Sequence, residues 1–468
     1  MRWAQEPATE EFREAKLGDR RRGQRLEGIA AQVAMKPEAG FPQVVANDSE
    51  LEGLYRFLRN EWVTPDAILG PHLEATRKRA RQVGSVLVVH DTTDFTFGGA
   101  SKRQGLGRIS GKRQGFLAHV ALMVVPGEER LPLGVAGIIR LTRGEKSTAK
   151  TDNPSWYQRS KDPERESLRW EKLVTEVEEH RQGFDCIHVM DREGDAYDLL
   201  ASMAEQHAHF VVRASHDRAL AEEGKLLRDV LETLTPLGKR TIELNSRPDA
   251  GRAADKVRRH PPREGRNAEI VVASAPVRLR RTQGAHTKRP ELAVNVVHVW
   301  EPSPPEGQSP VHWTLYTTEP TDTLAQVWNV VDTYRSRWVI EELFKALKTG
   351  CNIEKRQLET FHSLGNALSI FLPIACKMLL TRSLARVAPT APAHQVLTPV
   401  QLQIVTDYLK LSSAPKTAEE ALFAVAKIGG HLRRNGPPGW QTLGRGFEAL
   451  IWMQMGWLAA KSSNSDQS

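Results

Sequence analysis

The sequence predicts an α/β protein: a mixed sheet flanked by helices, interrupted by a mostly antiparallel β insertion, with helical segments at both ends. Three observations carry this reading. Short apolar runs at 86–89 and 186–190 alternate with stretches of helical periodicity. A block at about 214–320 changes to short β-branched runs separated by Pro-, Gly- and Arg-rich stretches. Both ends of the chain keep helical spacing. The expected division is therefore a helical segment 1–75, a core 76–384 carrying the insertion at about 214–320, and a helical segment 385–468.

Along the chain, Leu26, Ile29, Ala30 and Val33 recur at helical spacing behind Asp19, which suits an N-cap. Arg21, Arg22 and Arg25 fall in the first turns of that helix. A second basic helix sets Tyr55, Arg56 and Arg59 at offsets that share a face. Such helices suit phosphates, and they equally suit the wet side of a small helical domain. Strands come next at 86–89 and in a hairpin of 116–125 with 131–139 around Pro126-Gly127. A helix over about 163–181 leads to a strand at 186–190, a helix at 197–206 and a strand at 210–212. Residues 270–272 and 292–300 are the clearest strands of the insertion. One continuous helix is expected over about 323–349, ended by Gly350. The tail 462–468 is expected to fray.

The 468 residues suffice for two to four domains, and 40% apolar with 26% charged residues describes a soluble, globular chain. No run approaches the roughly 18 consecutive apolar residues of a membrane span. The opening Met1-Arg2-Trp3-Ala4-Gln5-Glu6 lacks the apolar core of a signal peptide, so neither a membrane partner nor export is expected. Cys186, Cys351 and Cys376 fit no disulfide framework or structural zinc spacing, which suits a reducing compartment. Residues 239–291 hold 14 Lys or Arg against 6 Asp or Glu, an excess equal to the net +8 of the whole chain. Charge concentrated in this way suits a polyanion, and nucleic acid is the expected partner.

Two aspartates come directly after the buried-type apolar runs, Asp91 in Asp91-Thr92-Thr93 and Asp191 in Asp191-Arg192-Glu193. Both are expected at the carboxyl ends of strands, where α/β proteins place their chemistry, although Asp also commonly caps the element after a strand. Further on, steps of 3, 4, 4 and 3 join Tyr334, Arg337, Glu341, Lys345 and Lys348 along one helix face. Ile340, Leu343, Phe344 and Leu347 form the stripe that seats this helix, and Glu342 points about 100° away from Glu341. Trp338 is expected to pack the helix. The same offsets also suit ion pairs on a solvated surface. Three gathered carboxylates repel one another and call for hard divalent cations, Mg2+ first, with Mn2+ able to substitute. Two such ions roughly 3.5–4 Å apart can activate an oxygen nucleophile and stabilise the leaving oxygen at a phosphodiester. The chemistry leaves hydrolysis and strand joining both open.

These residues in this order resemble the bacterial cut-and-paste DDE transposases, in the group with a Tyr-Arg-Glu-Lys signature. Tyr334, Arg337, Glu341 and Lys348 meet Y-x2-R-x3-E-x6-K, and the segments around Asp91 and Asp191 resemble the two Asp motifs. Leu17-Gly18-Asp19-Arg20-Arg21, residues 55–60, Phe210-Val211-Val212-Arg213, Leu397-Thr398-Pro399 and Ile428-Gly429-Gly430 extend the resemblance along nearly the whole chain. The resemblance implies an RNase H-like core with Asp91, Asp191 and Glu341 as catalytic metal ligands. It implies end-DNA or phosphate contacts at Arg21, Arg22, Arg25, Tyr55, Arg56, Arg59, Arg213, Tyr334, Arg337, Lys345 and Lys348. Trp313 resembles the aromatic residue that stacks on a base flipped out during hairpin formation. Also implied are nicking, hairpin formation, hairpin opening and strand transfer, with double-stranded transposon-end and target DNA as partners. A homodimeric synaptic complex, cleavage in trans and a bacterial cytoplasmic, nucleoid-associated location complete the expectation. Residues 95–104 and 247–266 depart from the pattern and are expected to alter DNA contacts. The competing readings are an RNase H-like nuclease without strand transfer and a non-catalytic DNA-binding regulator.

Overall fold

The computed structural model describes the chain apart from residues 1, 2, 4, 5, 100, 101, 111, 112, 144–164, 245, 247–261, 388, 433, 435, 437 and 466–468. The described residues form two compact units. The first runs up to Asp185 and resumes at Trp338, and the second spans Cys186–Arg337.

The first unit opens with helices α1 (Arg20–Met35), α2 (Phe41–Val44), α3 (Asp48–Arg59) and α4 (Pro65–Val83). The Asp19 side chain caps α1 by accepting from the Arg21 amide at 2.8 Å, and Leu26, Ile29, Ala30 and Val33 are buried as their spacing predicts. Strands β1 (Ser85–Phe97), β2 (Gly107–Ser110), β3 (Arg113–Val124) and β4 (Pro132–Leu141) come next, then helix α5 (Arg169–Glu179). They make an antiparallel arrangement in which β3 pairs with β1, β2 and β4. The expected helix over 163–181 begins outside the described residues. A short 3-10 turn, Glu166–Leu168, leads into α5.

Asp91 does not end its strand. It lies inside the 13-residue β1 and faces Val120 of β3. Thr92, Thr93, Phe95, Thr96 and Phe97 are β-branched or aromatic and keep pairing with β3 as far as Gln114, which carries the strand past the apolar run.

The second unit contains β5 (Asp185–Met190, from Cys186 onward), α6 (Tyr197–Glu205), β6 (His209–Arg213), α7 (Leu227–Leu231), β7 (Gly238–Leu244), β8 (Arg266–Arg280), β9 (Glu291–Trp300), β10 (His312–Thr317) and α8 (Leu324–Arg335). The sheet is mixed: β5 and β6 are parallel, and β6, β10, β9, β8 and β7 pair antiparallel in that order. The insertion is thus the antiparallel side of a sheet whose parallel pair carries Asp191. Part of its Pro- and Arg-rich stretch, 247–261, lies outside the described residues.

Back in the first unit come α9 (Trp338–Lys345), a π turn (Ala346–Gly350), α10 (Phe361–Val387), α11 (Pro399–Tyr408), α12 (Ala418–Ile428) and α13 (Trp440–Ser465). The continuous helix expected over 323–349 is therefore broken. The Ser336 hydroxyl donates to the Asp332 carbonyl, and the Ser336 and Arg337 amides bond three residues back, which tightens and ends α8. A shared face holds only within each piece. Trp338, placed at the break, is 50% exposed instead of packing the helix inward. Helix α13 runs to Ser465, so residues 462–465 are helical rather than frayed.

Helix α10 is the central helix of the first unit. Residues Phe361–Leu384 are long and apolar enough to cross a membrane, yet 89% of their most apolar window is buried inside the protein. The helix packs on α3, α4, β4 and the π turn, and a helix enclosed on all sides is apolar all round.

Candidate active site

Each unit presents its own share of the residues singled out by the sequence. In the first unit, α9, which carries Glu341, packs on β1, which carries Asp91. Asp91 is half-buried, and its carboxylate accepts from the Thr92 amide at 2.7 Å. Behind it, the Thr92 hydroxyl accepts from Arg169 Nε at 3.1 Å and lies 3.0 Å from His119 Nδ1. Burial, aided by the Arg169 charge, holds His119 well below the usual histidine range, so the ring is neutral. The strand residue next to Asp91 is thereby fixed by two buried side chains from β3 and α5.

The paired glutamates of α9 separate by environment. Glu342 accepts from Lys345 Nζ and from Arg382, both at 2.6 Å, and is committed to these two cations. Burial opposes its ionisation, but Lys345 and Arg382 prevail and lower its pKa. Glu341, one position earlier on the same helix, is half-buried. Lys345, expected on phosphate, here neutralises Glu342. Lys348 lies in the π turn, with its ammonium 3.5 Å from Asp94 and 5.6 Å from the Phe95 ring centroid. It therefore reaches β1 three residues beyond Asp91.

The basic helices are also in the first unit. Arg21, Arg25, Arg56 and Arg59 are exposed, and Arg22 and Tyr55 are half-buried. Arg22 donates to the Leu17 carbonyl at 2.9 Å. Arg59 lies 5.8 Å from the Tyr55 ring and 3.5 Å from Glu359, and Arg56 lies 3.7 Å from Glu52. The expected grouping of Tyr55 with Arg59 is present.

In the second unit, Asp191 comes directly after β5 as expected and caps the short turn Arg192–Gly194, accepting from the Glu193 amide at 2.9 Å. Gly194 is required there, because a Cβ would stand 2.7 Å from that of Met190. Arg192 sits within the fields of Arg213, Tyr334 and Asp191; partial burial and then Arg213 lower its pKa. Arg213 donates to the His312 carbonyl at 3.0 Å, and burial followed by the charges of Arg213 and Arg192 lowers the His312 pKa. Trp313, half-buried on β10, meets the buried Tyr334 ring edge-on at 5.6 Å between centroids. Arg337 is buried at the end of α8. The unit thus holds Asp191, Arg192, Arg213, Trp313 and Tyr334 on adjoining elements, with the buried Arg337 just past α8.

Sequence reasoning missed the residues that hold this cluster. Asp195, four positions after Asp191, is fully buried and accepts from Arg218 Nε at 2.8 Å, from the Ser215 and His216 amides, and from the Ser215 hydroxyl. The turn after β5 is thereby tied to the segment just beyond Arg213. Its signal was the second carboxylate of Asp191-Arg192-Glu193-Gly194-Asp195, which spacing alone could not distinguish from surface charge. Arg192 and His312 stand within recognisable motifs, but nothing in their spacing assigns them a role.

Chemically, hard carboxylate oxygens beside guanidinium and ammonium groups suit divalent cations and phosphates. The family described as transposase DNA-binding matches residues 3–63, and the transposase DDE domain family matches residues 155–372. A solved structure described as the piggyBac transposase synaptic complex with hairpin DNA is similar at 10% identity and a TM-score of 0.35, over 92% of this chain and 71% of that one.

Proposed function

We propose that this chain, which carries a transposase DNA-binding domain and a DDE transposase domain, is a metal-dependent transposase that cuts transposon ends and joins them to target DNA. The observation that carries the reading is the placement of Glu341 on a helix seated against the strand of Asp91; in the second unit, the charges of Asp191 and Arg213 both act on Arg192. The order Tyr334, Arg337, Glu341 and Lys348 supports reading the chain as one of the Tyr-Arg-Glu-Lys group, like the Tn-five transposase, and the proposal extends to an RNase H-like core and a location in the bacterial cytoplasm at the nucleoid.

Asp91, Asp191 and Glu341 would hold two Mg2+ ions, with Mn2+ able to substitute; their donor atoms are all hard carboxylate oxygens, which fits these ions. Bound there, such ions supply Lewis-acid activation of water or a DNA 3′-hydroxyl and stabilise the leaving oxygen. The protein's own side chains do the rest. Arg213 and Arg192 hold backbone phosphates, Arg213 being fixed in turn by the His312 carbonyl. Trp313, braced by Tyr334, offers a ring face to an extruded base in the hairpin stage, offsetting part of the forfeited stacking. The helices bearing Arg21, Arg22, Arg25, Tyr55, Arg56 and Arg59 engage end DNA. Nicking, hairpin formation, hairpin opening and strand transfer proceed within a homodimeric synaptic complex.

The test incubates the full chain with duplex DNA carrying the inverted repeats that bracket its own gene, Mg2+ and a target plasmid, with each strand labelled separately. Joined transposon–target products are expected. Cleaved ends that never join a target would make it a nuclease, and binding without any cleavage would make it a regulator. Asp91→Asn, Asp191→Asn and Glu341→Gln are each expected to abolish cleavage while retaining end binding; wild-type cleavage by any one removes that residue from the metal site.

A further inference from the structure

The turn directly after the π segment touches three functional parts of the first unit at once. On one side, Glu354 accepts from the Thr96 amide at 2.8 Å and the Thr96 hydroxyl at 3.1 Å, and Lys348 reaches Asp94. These contacts hold β1 just beyond Asp91 against the continuation of the Glu341 helix. On the other side, Asn352 donates to the Glu38 carbonyl at 3.0 Å, and Arg356 donates to the carbonyls of Pro37 and Ala39. Arg356 also donates to the Cys351 carbonyl, and its guanidinium lies over the rings of Phe41 and Phe371 at 5.1 and 4.5 Å. Phe41 in turn meets Tyr55 edge-on at 6.1 Å. Residues 37–41 and Tyr55 lie inside the stretch matched by the transposase DNA-binding family.

We propose that the Cys351–Arg356 turn is a coupling device that transmits DNA engagement by the N-terminal helices to the placement of Asp91 and Glu341, with Asn352 and Arg356 gripping the 37–41 segment and Glu354 setting β1. This rests on the metal-site reading of the two carboxylates. A solvated loop does not need a buried arginine, and Arg356 is only 3% exposed, with three backbone carbonyls as partners. Asn352 adopts the left-handed conformation at φ 47°, as residues that end a helical segment commonly do. The adjoining π turn holds one five-residue register. The Cys351 amide bonds to Ala346 five residues back, at 2.7 Å, and a switch to the four-residue bond would rotate everything downstream relative to Glu341. A pull on residues 37–41 therefore acts on the register that spaces Glu341 from β1. Coupling of this kind is reciprocal: DNA that tightens the metal site must itself be bound more tightly when the metal is present.

The experiment uses the full chain, the inverted-repeat duplex with a scrambled duplex as control, and Mn2+ as the metal probe. It reads thermal melting, duplex affinity, Mn2+ affinity with and without duplex, and single-turnover nicking. In the wild type, the end duplex is expected to raise Mn2+ affinity roughly 5- to 150-fold, and the scrambled duplex is not. Asn352→Gly, which keeps the left-handed backbone unstrained, and Arg356→Lys are expected to retain duplex affinity within about threefold and to lose that enhancement, nicking falling with it. Glu354→Ala is expected to slow nicking about tenfold or more, and Glu354→Gln, whose amide oxygen still accepts from Thr96, to restore most of it. An undiminished Mn2+ enhancement in Asn352→Gly overturns the proposal, as does a loss of nicking that only tracks weakened duplex affinity. If Arg356→Lys no longer melts cooperatively, Asn352→Gly alone decides. Glu341→Gln, run in parallel, separates the two claims: wild-type nicking by that variant sinks the metal-site reading itself.

Discussion

Burial decides which individual charges matter. Asp195 and Arg218 form a buried pair in which two guanidinium nitrogens donate to one carboxylate oxygen, and three further donors fall on the other oxygen. Removing one partner leaves an uncompensated charge, so Asp195→Ala is expected to cost about 3–5 kcal/mol. The loss is read from the shift in urea midpoint. Lys345 is exposed and Glu342 keeps Arg382 as a second partner, so Lys345→Ala is expected to cost at most about 1 kcal/mol. A loss at Asp195 no larger than that at Lys345 would remove its anchoring role. Trp313 makes a different kind of residue-scale prediction. Its partner is Tyr334 and its ring is half-buried, so Trp313→Ala is expected to leave the fold intact and slow hairpin formation more than the first nick. Equal slowing of both steps would count against base stacking.

At the scale of elements, the local rules carried most of the fold and failed where tertiary partners intervene. Asp19, the buried face of α1, the hairpin around Pro126-Gly127 and the strand before Asp191 were legible because caps, periodicity and turn residues act through near neighbours. The position of Asp91 was misplaced by register: the strand continues past it because β3 offers pairing that no local pattern announces. The 323–349 helix broke at Ser336, where hydroxyl back-bonding outweighed unbroken apolar spacing. Asp91, Asp191 and Glu341 stood out by motif order, whereas His119, Arg169 and Arg218, which brace other residues, gave no spacing signal at all. Bracing by neutral histidines has a measurable consequence. Burial lowers the pKa of His119, and burial with His312 brings His298 down to about 4. The unfolded chain takes up these protons near the ordinary pKa of 6.5, and the folded chain does so only at lower pH. Stability is therefore fully present above about pH 6.5 and declines as pH falls below it, by at most about 1.4 kcal/mol per pH unit for His119. His298 contributes less because solvent reaches its ring. Urea midpoints measured from pH 7.5 to 4.5 should fall with acidity, and His119→Gln should flatten the fall; an unchanged slope would show that the histidine is protonated in the fold.

For the molecule as a whole, the net charge of +8 marks a partner of opposite sign, but its distribution along the sequence is not its distribution in action. The basic stretch 239–291 supplied the whole excess, yet four of its described cations are paired with carboxylates within the second unit. Lys239 pairs with Glu269, Arg240 with Asp332, Arg266 with Glu301, and Arg278 with Glu222 and Glu291. Arg240 also lies 4.4 Å from the Trp328 ring centroid. The exposed Arg21 and Arg25 instead stand in the first turns of α1, inside the stretch matched by the transposase DNA-binding family. A guanidinium that already has a carboxylate gains little from a phosphate, because the first partner must be given up. Counterion release is therefore expected mainly from Arg21 and Arg25 of α1. A plot of log affinity against log salt for the end duplex should be linear, and Arg21→Ala with Arg25→Ala should lower its slope by about 1 for each phosphate left without its cation. Lys239→Ala with Arg278→Ala should leave the slope nearly unchanged. The reverse order would place the electrostatic footprint on the insertion and return α1 to the status of a solvated helix.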